Sequence, residues 1–149
     1  VAIFLQQGGC QCRAVRYTLK SRPLVVYVCH CTECQKQSSS AFGESVRVRA
    51  ADLEIGGEIR AYIRPSSSGE VRCEFCPECG TRLFHRRASY SEHLNIKGGS
   101  FDETSWLVPA GHIWTASRQP WVSIPRDALT YERQPESYDR MIARYASGP

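Results

Sequence analysis

All eight cysteines of this 149-residue chain fall in three short clusters. They are Gly8-Gly9-Cys10-Gln11-Cys12, Cys29-His30-Cys31-Thr32-Glu33-Cys34, and Cys73-Glu74-Phe75-Cys76-Pro77-Glu78-Cys79-Gly80. Paired thiols at two- and three-residue spacing are what a tetrahedral metal site asks of a chain, so the fold has to bring distant clusters to common points. The even count would also suit four disulfides. Disulfide frameworks belong to smaller secreted chains, and C-x-C or C-x-x-C spacing in every cluster points instead to chelation in a reducing cytoplasm.

The length allows one domain with its own core, residues 1–149, so metal would organise this fold rather than replace a missing core. A hydrophobic share of 42% and a charged share of 23% are ordinary for a globular chain. The longest apolar run, Leu24 to Val28, is too short to cross a bilayer. The opening Val-Ala-Ile-Phe-Leu has neither the basic start nor the length of a secretion signal. The formal charge of +4 does not argue for nucleic acid. Four thiolates on one zinc add about −2 and three on another about −1, which brings the loaded chain near +1.

Periodicity predicts a mainly β fold. Val15, Tyr17 and Leu19 alternate with polar neighbours into a half-buried strand, and Leu24 to Val28 reads as a buried strand that runs straight into Cys29. Further strands are expected around Phe42 to Arg49, Ile59 to Arg64, Glu70 to Phe75, Thr81 to Arg87 and His93 to Lys97. The second of these should turn Ile59, Ala61 and Ile63 inward. Gln35 to Ser40 reads as a polar loop that begins with a helical turn over Cys34. Phe101 to Pro125, rich in tryptophan and proline, is expected to wrap the sheet rather than join it. Tyr138, Met141, Ile142 and Tyr145 recur at helical spacing after Ser137, which predicts one C-terminal helix with that serine as its cap.

Cys76-Pro-Glu-Cys79-Gly80 has the form of a zinc knuckle, in which the glycine takes a positive φ and turns backbone N–H groups toward the sulfurs. A structural zinc needs four ligands, and Cys10 with Cys12 is the natural complement. Cys29, Cys31 and Cys34 remain as three thiolates without an obvious fourth ligand, the pattern of a catalytic zinc with an open position. Three thiolates make the metal a poor Lewis acid for generating hydroxide and suit it to exchanging a soft thiolate, so a thiol or its aldehyde adduct is the chemistry inferred. Cys73 has three readings: a buried strand cysteine, a fourth ligand that closes this site, or a redox group. His30, between two ligands, is an acid/base group or a hydrogen-bonded structural histidine. His85, His93 and His112 are taken as structural. Arg60, Arg64, Arg82, Arg86, Arg87 and Arg118 are candidates for a substrate carboxylate, or a solvated face.

Gly-Gly-Cys-x-Cys with Arg16-Tyr17, Cys-His-Cys-x-x-Cys-Gln-Lys, Phe-Cys-Pro-x-Cys-Gly-Thr, and Pro109-Ala-Gly-His112-Ile-Trp114 with Ser117-Arg118-x-Pro120-Trp121 form one ordered pattern. Over roughly residues 8 to 133 it resembles the glutathione-dependent formaldehyde-activating enzyme family, which also includes centromere protein V. The resemblance implies twisted antiparallel sheets of the methionine sulfoxide reductase B kind. It implies two zincs per chain: a structural one on Cys10, Cys12, Cys76 and Cys79, and a catalytic one on Cys29, Cys31 and Cys34. The implied activity is that of a carbon-sulfur lyase joining formaldehyde to glutathione as S-hydroxymethylglutathione. The alternative is a non-catalytic zinc module for protein or nucleic acid, with Arg47, Arg49, Arg60 and Arg64 as a basic stripe. There are two departures from the family pattern: Cys73 stands where a non-cysteine residue is more usual, and Ser38-Ser39-Ser40 replaces a frequent Ser-Gly.

Overall fold

A computed structural model describes residues 4–148; the first three residues of the opening apolar run lie outside the described part. Among these residues the fold is mainly β, with eleven strands and two α-helices. The strands are β1 (Gln6–Gly9), β2 (Arg16–Leu19), β3 (Val25–Cys29), β4 (Gly43–Arg49), β5 (Leu53–Gly56), β6 (Arg60–Arg64), β7 (Val71–Phe75), β8 (Arg82–Arg87), β9 (His93–Lys97), β10 (Gly111–Ile113) and β11 (Leu129–Thr130). The helices are α1 (Thr32–Ser38) and α2 (Asp139–Ala146). Among the described residues no helix is long and apolar enough to cross a membrane.

The chain gathers into two compact units, each built from two stretches: Val1–Pro23 with Arg47–Trp106, and Leu24–Val46 with Leu107–Pro149. In the first unit β1, β2 and β5 form a three-stranded antiparallel sheet, and β6, β7, β8 and β9 pair in order, also antiparallel. Val15, Tyr17 and Leu19 are buried as their alternation requires. Tyr17 sits edge-on to Phe84 and Phe101, with centroids 5.4 Å away in each case, and its hydroxyl meets Ser100 Oγ at 2.7 Å. At the edge of the four strands, β6 departs from expectation. Ile63 is exposed while Arg64 is half-buried, because an edge strand with one neighbour offers its apolar side chain little to pack against.

In the second unit β3 is buried at every position, as its unbroken apolar run demands. The expected antiparallel arrangement gives way here: β10 runs parallel to both β3 and β11, so the sheets are mixed. Gly111-His112-Ile113 therefore joins the sheet, inside a segment expected only to wrap it. α2 buries Met141 into a cluster with Val25, Tyr27, Cys29, Ala110 and Ile113. The expected cap shifts by one residue: the N-cap position falls on Tyr138, which makes no side-chain cap, while Ser137 Oγ, just before it, accepts from the backbone N–H of Asp139 at 3.0 Å.

Candidate metal centres

The four sulfurs of Cys10, Cys12, Cys76 and Cys79 converge within 4.8 Å of one another in the first unit. Two turns deliver them. Cys10 and Cys12 lie in a turn closed by Arg13 N–H to Cys10 C=O at 3.1 Å and by Cys10 N–H to Val15 C=O at 3.1 Å. Cys76 and Cys79 lie in the second, where Gly80 takes φ +79° and its N–H reaches Cys76 C=O at 2.9 Å. That is the left-handed conformation expected of this glycine. The Cys10–Cys12 and Cys12–Cys76 sulfurs are 3.6 and 3.7 Å apart. A tetrahedral zinc with bonds of about 2.3 Å has sulfur–sulfur edges of about 3.8 Å, so the quartet is sized for one such ion.

The sulfurs are also prepared for charge. The Val15 N–H donates to Cys10 Sγ at 3.2 Å, and Thr81 Oγ1 lies 3.2 Å from Cys79 Sγ. The Thr81 hydroxyl and N–H hold Cys79 down at about 5, while Cys12 is pushed up to about 12, its backbone contact with Ala14 being outweighed by desolvation and the neighbouring sulfurs. Thr81 is a residue that thiol spacing alone passes over.

Cys29, Cys31 and Cys34 form the second group, again within 4.8 Å of one another, in the second unit. β3 ends on Cys29. Cys31 then caps α1, its sulfur accepting the Cys34 N–H at 3.3 Å, and Cys34 sits one turn into the helix. The helix thus starts at Thr32, earlier than the expected turn. Hydrogen bonding with Cys29, then Cys34, holds Cys31 down at about 2, and Cys29 is pushed up by Cys31 and Cys34 in turn. A pocket of sulfurs competing for few protons is a cation trap. All eight cysteines are free thiols, and Cys73 belongs to neither group. It is fully buried on β7, its sulfur 3.6 Å from Val71 C=O, as a small core side chain would be.

His30, between Cys29 and Cys31, is fully buried, and its Nε2 lies 2.9 Å from Nδ1 of His112 with the rings stacked. Both imidazoles are held below their usual range, His30 by burial and then by Arg118, His112 at about 4 by burial and then by His30. The main chain of His30 is pinned as firmly. Its C=O accepts from Gln35 Nε2 and Ser117 Oγ, both at 2.9 Å, and its N–H donates to Ile113 C=O at 3.0 Å. Trp114, which packs beside this cluster, holds φ +58°, a costly conformation for a bulky residue. Hydrogen bonds from Ser117 to its C=O and from its indole to Gln134 keep it there. Gln35 also lines an open cleft of about 480 Å³ together with Lys36, Ser39, Ser40, Gln119 and Trp121.

Two clusters of thiols that could each hold a metal ion, set in turns of a mainly β fold, define the class of protein. Within that class, the chain belongs to the glutathione-dependent formaldehyde-activating enzyme family, whose profile matches residues 5–117. No curated protein matches the sequence closely. Among solved structures, the chain is similar to a crystal structure of a Rhodobacter sphaeroides protein determined as a structural genomics target. The TM-score is 0.51 and the identity 19%, over 84% of this chain and 98% of that one. At that identity the likeness speaks for the fold alone.

Proposed function

We propose that this protein is a zinc-dependent carbon-sulfur lyase-type enzyme acting on the adduct of a small thiol and an aldehyde. Glutathione and formaldehyde, giving S-hydroxymethylglutathione, are the pair the family name points to. The observation that carries the proposal is the Cys29, Cys31, Cys34 triplet, which among the described residues gathers no fourth cysteine, histidine or carboxylate. Zinc bound there would supply a fourth position suited to a soft thiolate. In the reaction a bond forms between the thiol sulfur and the carbonyl carbon, the carbonyl electron pair moves to oxygen, and the proton leaving the thiol ends on that oxygen. The reverse direction releases the aldehyde.

The chain's own residues fix the geometry. The neutral His30–His112 pair and the clamp of Gln35 and Ser117 on the His30 carbonyl hold the segment between Cys29 and Cys31 in one arrangement. The cleft along α1 receives the rest of the thiol compound. Lys36 offers a cation to a carboxylate, and the exposed Trp121 ring offers apolar cover. Gln35, Lys36 and Trp121 are also residues of the motifs that carry the family resemblance. With this reading go zinc in both clusters, a reducing cytoplasm and the methionine sulfoxide reductase B-like fold.

Cobalt substitution tests the proposal. Adding thiol to the cobalt-loaded protein should change its visible absorption, and the change should vanish in Cys31→Ser. An unchanged spectrum at millimolar thiol would overturn it.

A further inference from the structure

The exposed ring of Trp121 and the buried carbonyl of His30 are joined by an unbroken line of side-chain hydrogen bonds. The Trp121 indole N–H donates to Gln119 Oε1 at 2.7 Å, Gln119 Nε2 donates to Gln35 Oε1 at 3.1 Å, and Gln35 Nε2 donates to the His30 C=O at 2.9 Å. The other N–H of that amide donates to the Ser117 C=O at 3.0 Å. The His30 C=O belongs to the peptide bond between His30 and Cys31, so the line ends on the main chain between two members of the cysteine triplet.

The direction of this line is fixed from both ends. Carbonyl oxygens only accept and an indole N–H only donates, so turning over either amide would set donor against donor or acceptor against acceptor. The line is therefore either whole or broken, with no reversed form. Its two ends are held differently. At the inner end Gln35 lies in α1, its backbone N–H bonded to the Cys31 C=O at 3.0 Å, and Ser117 Oγ makes a second contact to the His30 C=O at 2.9 Å. At the outer end the backbone is fixed but the ring is not. Val122 is buried, its N–H donates to the Gln119 C=O at 3.0 Å and its C=O accepts from the Arg118 guanidinium at 2.6 Å, while the Trp121 ring is 72% exposed. A ring so exposed is held by its one hydrogen bond rather than by packing, so what lies against it decides how firmly the line stays closed.

Trp121, Gln119 and Gln35 all line the cleft of about 480 Å³ that also includes Lys36. A molecule seated there covers the ring, keeps water from the Trp121–Gln119 bond and so strengthens it. We propose that Trp121 is a positioning residue: through Gln119 and Gln35 it couples occupancy of the cleft to the hold on the main chain between Cys29 and Cys31, and the triplet is set most firmly when the cleft is filled. The inference rests on the reading of this cleft as the seat of the thiol compound, and adds that the seat acts on the triplet through the chain of amides.

The test is the rate at which the full-length, zinc-loaded protein yields zinc to a chromophoric chelator, with and without S-methylglutathione, a thioether that brings no free thiol to the metal. Calorimetry establishes that the probe is saturating, and the Cys31→Ser protein supplies the blank for the four-cysteine site. In the wild type the probe should slow release from the triplet about fivefold. The side-chain amide protons of Gln35 should also exchange with water more slowly once the probe is bound, a readout that needs no variant. Trp121→Phe keeps an aromatic ring and removes the N–H, and Gln119→Met cuts the next link; in both, saturating probe should no longer slow release. Should one variant fail to fold or to bind the probe, the other decides. Slowing that persists in the variants would mean that the probe merely shields the metal, and would overturn the proposal while the reading of the cleft stood. No slowing in the saturated wild type, or unchanged Gln35 exchange, would do the same. Absence of any heat of binding in the wild type would overturn both.

Discussion

His112 shows what one residue adds to the account. In the sequence it stands alone, since its partner His30 lies 82 positions away and no local pattern joins them. In the fold its ring is 8% exposed and held at about 4, first by burial and then by His30. The free side chain titrates near 6.5. A folded value below the unfolded one means that the unfolded chain binds the proton more readily, so this group's stabilisation is complete above about pH 6.5 and is lost as pH falls toward 4. An NMR titration should place the His112 midpoint near 4, and a midpoint above 6 would contradict the buried neutral pair. Ser39 offers a second prediction at this scale. It ends α1 at φ +52°, where a side chain costs about 1 kcal/mol relative to glycine. Ser39→Gly should therefore raise the melting temperature by about 2–4 °C. The departure from the family's Ser-Gly pattern is thus a departure in strain.

At the scale of elements, the cysteine clusters were legible because their spacing is local: a knuckle needs only Cys76, Cys79 and Gly80, and an N-cap sulfur needs only Cys31 and Cys34. β10 was not, since three residues are too few for any period to show, and its partners β3 and β11 come from remote parts of the chain. The register shift between β7 and β8 at Glu74/Phe75, which brings the Arg82 guanidinium within 3.0 Å of His85 Nε2, likewise leaves no mark in the alternation of β7. The start of β4 carries its own prediction. A Cβ on Gly43 would lie 2.9 Å from Gln37 Nε2, 3.1 Å from Cys34 Cβ and 3.2 Å from Cys34 Sγ, so β4 passes α1 closely enough to brace that sulfur. Gly43→Ala should weaken metal binding at the triplet about tenfold and leave the Cys10, Cys12, Cys76, Cys79 site unchanged, as read by competition with a chelator. Equal effects at both sites would show general destabilisation instead.

For the whole molecule, the two compact units do not divide the sequence. The chain leaves one for the other after Pro23, after Val46 and after Trp106, so neither unit is a continuous piece. We propose that residues 1–149 therefore behave as one domain. Calorimetry should show a single transition whose van't Hoff and calorimetric enthalpies agree, whereas two resolved transitions would count against it. The same layout divides the thiols, with Cys10, Cys12, Cys76 and Cys79 in the first unit and Cys29, Cys31 and Cys34 in the second. Cys73 is the eighth thiol, and its place on β7 makes it core rather than ligand. The central claim, one closed four-thiolate site and one open three-thiolate site per chain, is tested most directly by counting zinc per chain in freshly purified protein, wild type against Cys31→Ser and Cys73→Ser. The expected counts are two, one and two. A count that falls to one in Cys73→Ser would make that cysteine a ligand, close the second site, and contradict the proposed exchange of a substrate thiolate.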